Sequence, residues 1–139
     1  MKRIFPSVFL ALVLVLTVVS TAAAAPVPMT TFTLVSGLPS TMNVGETFTV
    51  EVQVDSDVPF NAVQALPSFM FPGKGVVAVQ GGDRAGRGTS ATVEVTFQAK
   101  SSTAGFPGGG VAPVHVVVGV RYAGGFVAVK DYLFNVTVP

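Results

Sequence analysis

The chain has 139 residues, with eight Lys and Arg against seven Asp and Glu, one His and no Cys. So little net charge removes the electrostatic footprint of nucleic-acid binding. The missing cysteines exclude disulfides, thiolate metal sites, a cysteine nucleophile and a lipidated N-terminal Cys. His115, the one histidine, leaves at most one imidazole for acid–base or metal chemistry.

Lys2 and Arg3 open the chain, and Ile4 to Val19 follow without a charge and with only Ser7 and Thr17 polar. Ser20, Thr21 and the run Ala22 to Ala25 then supply small residues. This order of basic, apolar and small predicts a signal peptide over residues 1–24, cleaved after Ala24. An uncleaved anchor is the alternative, because the apolar stretch reaches Ala25 when the small residues are counted. The Ala cluster and Pro26 favour cleavage. Residues 25–139 are then one domain carrying six cations against seven carboxylates. It has no second apolar span to cross a membrane, and its expected address is the periplasm, the cell surface or the medium. A cysteine-free exported domain of this size suits a prokaryotic source.

Helical periodicity is absent from this domain, and short alternating runs take its place. Thr31 to Val35 is a first, weak strand. In Thr47 to Asp55, Phe48, Val50, Val52 and Val54 share one face and Thr49, Glu51, Gln53 and Asp55 the other, which is the period of a half-buried strand. Asn61 to Leu66 and Val76 to Gln80 are weaker candidates, and Pro67 places its segment at an edge or corner. Thr92 to Ala99 alternates as cleanly as Thr47 to Asp55. In Val114 to Tyr122 the second face carries His115, Val117, Gly119 and Arg121, which predicts a central strand covered more fully than the rest. Phe126 to Val129 is expected to pair with it across Ala123, Gly124 and Gly125. Tyr132 to Val138 ends the series, its alternation broken at Leu133. Loops are expected at 35–44, 55–59, 72–75, 81–89 and 101–113. Seven to eight short strands with this punctuation predict an all-β, antiparallel β-sandwich, with a single barrel as the alternative.

The stretch Asn43, Val44, Gly45, Glu46, Thr47, Phe48, Thr49, Val50, Glu51, Val52, Gln53 and Val54 resembles the second-strand entry of secreted prokaryotic immunoglobulin-like domains. The ending, Val116 to Tyr122, a Gly turn and then Phe134 to Val138, is similar to their last hairpin. The resemblance covers residues 30–139. It implies an immunoglobulin-like β-sandwich in a spacer, adhesion or assembly role, and fold alone does not select among these. Paired Cys, Trp and a tyrosine corner, the marks of antibody-type domains, are missing.

Several residues are candidates for chemistry. Asp55 and Asp57 flank Ser56 in a loop and are weak candidates for Ca²⁺, which needs six to eight oxygens; only Asp83 and Asp131 remain as further loop carboxylates. Asp-Ser-Asp is equally a turn, and no cofactor is expected. Arg84 and Arg87, in the Gly-rich stretch 81–89, are candidates for an anionic glycan or a partner carboxylate. Phe69, Met70 and Phe71 stand in a row, so in a strand they cannot all face one core, and any left outside would mark a partner surface. His115 reads as a solvent-facing or capped strand histidine. Glu46, Glu51 and Glu94, the three glutamates, offer at most a two-carboxylate arrangement. Leu38 to Met42 lacks the Gly and context of a sorting signal, and Asn135 fits a glycosylation acceptor but lies in a strand.

These residues predict a non-enzymatic exported module in a structural or protein-contact role, with an unidentified protein or surface polymer as partner. One alternative is a self-assembling surface or filament subunit, a homo-oligomer in which residues 25–36 extend as a donor strand. The other is a carbohydrate- or calcium-binding adhesion-type module.

Overall fold

The computed structural model describes residues 26–69, 71–82 and 84–139, apart from the side chains of Phe69 and Arg84. The signal peptide expected over residues 1–24 lies outside them. Seven strands follow in chain order: β1 (Thr30–Ser36), β2 (Thr47–Phe69), β3 (Val76–Gln80), β4 (Arg84–Ala85), β5 (Gly88–Ala99), β6 (Ala112–Tyr122) and β7 (Val127–Val136). All strand pairings are antiparallel. They run in the order β3-β5-β2-β6-β7, with β1 and β4 also bonded to β2. The all-β, antiparallel reading with seven to eight strands therefore holds.

Two of the expected boundaries are different in the folded chain. The runs read at Thr47 to Asp55 and Asn61 to Leu66 are one strand of 23 residues. Its first part pairs with β1 and β5, and residues 60–69 pair with β6 and, at Val63 and Gln64, with β4. Between Asp55 and Phe60, five steps along β2 face only the two from Ser90 to Gly88 on β5. Surplus residues on one side of a ladder bend the strand, and Pro59 has no N–H to oppose the bend. The expected loop at 55–59 is thus a corner inside a strand. Likewise, the runs at Phe126 to Val129 and Tyr132 to Val138 are the single strand β7. Lys130 and Asp131 lie opposite Val118 and Val117. An unbroken β6 ladder outweighs the low strand preference of two charged residues.

The corner in β2 divides the sheet into two wings. The first holds β1, residues 47–55 of β2, β5 and β3; the second holds β4, residues 60–69 of β2, β6 and β7. One hydrophobic cluster draws on both: Val50, Val52, Val54, Val93, Val95 and Phe97 from the first, Phe60, Val63, Val114, Val116, Val118, Val120 and Tyr122 from the second. No α-helix occurs among the described residues, and the buried side chains of both wings belong to this one cluster. Phe134 of β7 reaches across to Gly37, just past β1, where an added Cβ would come within 2.6 Å of its ring. The close approach requires Gly there.

Polar contacts fasten this arrangement at both ends. The buried Tyr122 hydroxyl lies 2.6 Å from Thr30 Oγ1 and donates to Ser56 Oγ at 2.8 Å. It ties the start of β1 and the corner of β2 to the end of β6. At the other end buried Thr103 donates to the Gly110 carbonyl and accepts the Val138 N–H at 2.9 Å, which holds the C-terminus. The phrase ahead of β2 has a local cause too. Glu46 N–H donates to the Asn43 carbonyl at 3.0 Å, closing a turn in which Gly45 has φ 93°, the conformation that selects Gly at the third turn position. The Glu46 carboxylate accepts the Asn43 N–H at 2.8 Å, and these bonds to Asn43 hold its carboxyl below the usual value.

Candidate interaction surface

Strand alternation sends half of each wing's side chains inward and leaves the other half to form an outer face. On the first wing, Thr49, Glu51, Gln53 and Asp55 stand opposite Thr96, Glu94, Thr92 and Ser90. The two rows bond to each other. Thr49 and Thr96 hydroxyls meet at 2.8 Å, Gln53 Nε2 donates to Ser90 Oγ at 2.7 Å, Ser90 Oγ donates to Asp55 Oδ1 at 2.8 Å, and Thr92 donates to Gln53. Such a polar outer face suits a sheet side open to solvent.

The outer face of the second wing has a different chemistry. Cross-strand register lays it out in rows: Ala62, Arg121 and Val127; then Gln64, Gly119 and Val129; then Leu66, Val117 and Asp131; then Ser68, His115 and Leu133. Leu66, Val127, Val129 and Leu133 keep 49%, 52%, 60% and 53% of their surface exposed. Around Gly119 lies a shallow hollow of about 330 Å³, lined by Gln64, Leu66, Val117, Arg121, Val127 and Val129 among others, with Leu133 outside it. Contiguous exposed apolar residues of this kind mark contact sites in soluble proteins.

Charge is sparse here and placed at the two ends. His115 Nδ1 lies 3.0 Å from Asp131 Oδ2, one row over on the neighbouring strand. Arg121, at the other end, is exposed and makes no ion pair among the described residues. Lys130 belongs to the inner side of β7, opposite buried Val118, with its ammonium 5.9 Å from the Tyr132 ring centroid. A charge directed inward on an outermost strand blocks edge-to-edge pairing. Partial burial of Tyr132 pushes its phenol above the usual value.

The residues singled out from the sequence do not converge on one site. Asp55 Oδ1 accepts from Ser90 and Gln53, while Asp57 Oδ1 accepts the Met29 N–H at 2.9 Å. No group of three or more potential His, Asp or Glu metal ligands occurs among the described residues. Phe71 is half-buried, its ring 4.7 Å from that of Phe106; Phe69 ends β2 opposite Val114. Met70, Asp83 and the side chains of Phe69 and Arg84 lie outside the description. Arg87 is exposed beside β5, and Arg84 stands in the two-residue strand β4 within the stretch read as a loop. Glu51 and Glu94 are direct cross-strand partners on the open face of the first wing, and Asn135 is exposed on β7. β1, the candidate donor strand, pairs with β2 of its own chain from Thr30 to Ser36.

Leu66, Val127 and Val129 carry no functional reading in the sequence, where Val117 and Gly119 mark a more fully covered central strand and Leu133 a break in alternation. Those three positions were the available signal. Each is an apolar or bare position on the face where polar residues belong, and the register places them side by side.

No protein-family model matches the chain, and no curated protein matches it. Among solved structures the chain is similar to E. coli alpha-2-macroglobulin in its native conformation, at 16% identity and a TM-score of 0.47. The likeness extends over 83% of this chain and 7% of that one.

Proposed function

We propose that this chain is an exported, non-enzymatic, immunoglobulin-like β-sandwich module. It acts by protein–protein contact outside the cytoplasm, through the outer face of β2, β6 and β7. The observation that carries this reading is the exposed apolar group of Leu66, Val127 and Val129 around Gly119. An exposed row of this kind is an aggregation hazard unless something covers it. Export is supported by the basic, apolar and small order of residues 1–25, and the sandwich by the single core shared between the wings. The first wing, whose outer side chains bond to one another, is the solvent side of the module.

A photoreactive amino acid at position 127 in the exporting organism tests the contact. Ultraviolet light is expected to give covalent adducts from position 127 and none from a control probe at Thr92 on the first wing. The absence of any adduct from position 127 would remove the reading.

A further inference from the structure

We propose that the partner on this face is a second copy of the chain. The two copies pack face to face about a two-fold axis that crosses the strands at the level of Gly119. The proposal rests on the reading of the face as a contact surface and adds the occupant and its register.

Gly119 supplies the first argument. It lies in the middle of an eleven-residue strand, its φ is negative, and a Cβ added to it would meet no atom within 4 Å. Neither backbone geometry nor packing within the chain asks for Gly, although Gly weakens a strand interior. A strand glycine facing open space fits the close approach of another backbone. A two-fold axis at this row sets Gly119 of one copy against Gly119 of the other, with no side chain between them.

Charge supplies the second. Counting rows along the strands, Arg121 stands one step to one side of Gly119 and Asp131 one step to the other. A two-fold axis across the strands exchanges those two steps. Arg121 of each copy then lies above the row that holds Val117 and Asp131 of the other, within reach of that carboxylate. Two opposite charges that exchange places about an axis form two ion pairs in a dimer, whereas an unrelated partner would need matching charges of its own. Asp131 already orients toward His115, and Arg121 is left to supply the second cation.

Lys130 supplies the third. Its inward placement guards the outer edge of β7 against strand addition, so beside β7 the surface open to a second copy is the face. Three strands about 4.8 Å apart and four rows about 6.8 Å apart give roughly 400 to 500 Å² per copy with side-chain margins. That is near the lower limit for specific association and corresponds to a weak, concentration-dependent dimer.

The test is sedimentation velocity on the full chain, expressed with its own N-terminus, from about 1 μM to about 0.5 mM. A monomer–dimer equilibrium is expected. Gly119→Val adds a strand-favouring side chain into open space, so its melting temperature, read by circular dichroism on dilute protein, stays level or rises. Its dimer constant weakens at least tenfold. Arg121→Asp and Asp131→Arg each weaken the dimer, and the two together restore it. A monomer across the whole range, an unaltered constant in Gly119→Val, or no recovery in the double reversal would each overturn the proposal. A monomer that still crosslinks from position 127 to a different protein overturns the second copy and leaves the contact face standing. Loss of every adduct removes both.

Discussion

The two wings share one core and differ on the outside. Outward positions on the first wing carry Thr49, Gln53, Ser90, Thr92 and Thr96, which bond to one another across the strands. The corresponding positions on the second wing carry Leu66, Val117, Gly119, Val129 and Leu133, which have nothing to bond. Both inner faces are lined mainly by buried Val and Phe. The two halves therefore differ in their outer side chains, polar and mutually bonded on the first wing, and on the second a mixture of apolar residues with Gln64, Ser68, His115, Arg121 and Asp131. A contact surface requires no special backbone, only apolar residues where solvation would otherwise select polar ones.

That contrast can be broken from the inside. Phe97 comes from the first wing and Phe60 from the second, and both are buried in the same cluster. Replacing either by Ala is expected to cost about 3–5 kcal/mol, read by urea denaturation. Because the core is common, each variant should unfold in a single transition with fluorescence and circular dichroism coinciding. Two separated transitions would show that the wings fold as independent units.

The polar wing has one discordant pair. Glu51 and Glu94 are directly opposed, and like charges across a strand pair repel. Glu94→Lys is expected to stabilise the fold by about 0.5 kcal/mol at low ionic strength, with the gain shrinking in salt. A loss of stability would mean that the two carboxylates hold something together.

Exchanging the outer chemistries sharpens the comparison with still smaller changes in stability. Leu66→Thr and Leu133→Thr on the second wing, or Thr49→Val and Thr92→Val on the first, should each shift unfolding by less than about 0.5 kcal/mol. Their effects on surface stickiness should be opposite. Binding of a hydrophobic dye falls in the first pair and rises in the second. Equal dye binding in all four would erase the distinction between the faces.

The smallest effect concerns Glu46, fully exposed at the turn before β2. Its carboxyl is held below the ordinary 4.5 by bonds to Asn43, so its contribution is complete at neutral pH and is lost as pH falls below 4.5 through the native value. Glu46→Gln lacks that contribution throughout. The difference between the melting curves of the two proteins should narrow on acidification, and a widening would place the native carboxyl on the other side of its usual value.

Much of this architecture was legible in the residues. The period of two in Val50, Val52 and Val54, in Val93, Val95 and Phe97, and in Val114 to Tyr122 identified the inner faces, because alternation is a local property of one strand. The turn at Gly124 and Gly125 between the last strands followed from the same short-range rules. The corner at Asp55–Phe60, the continuity of β7 and the apolar outer face were decided by tertiary structure. Each depends on register between strands far apart in the chain. Pairing with β6 carries β7 through Lys130 and Asp131, the unequal spacing against β5 bends β2, and three separate strands bring Leu66, Gly119 and Val129 together. A linear pattern reports which side of a strand a residue takes, and only the ladder reports its neighbours.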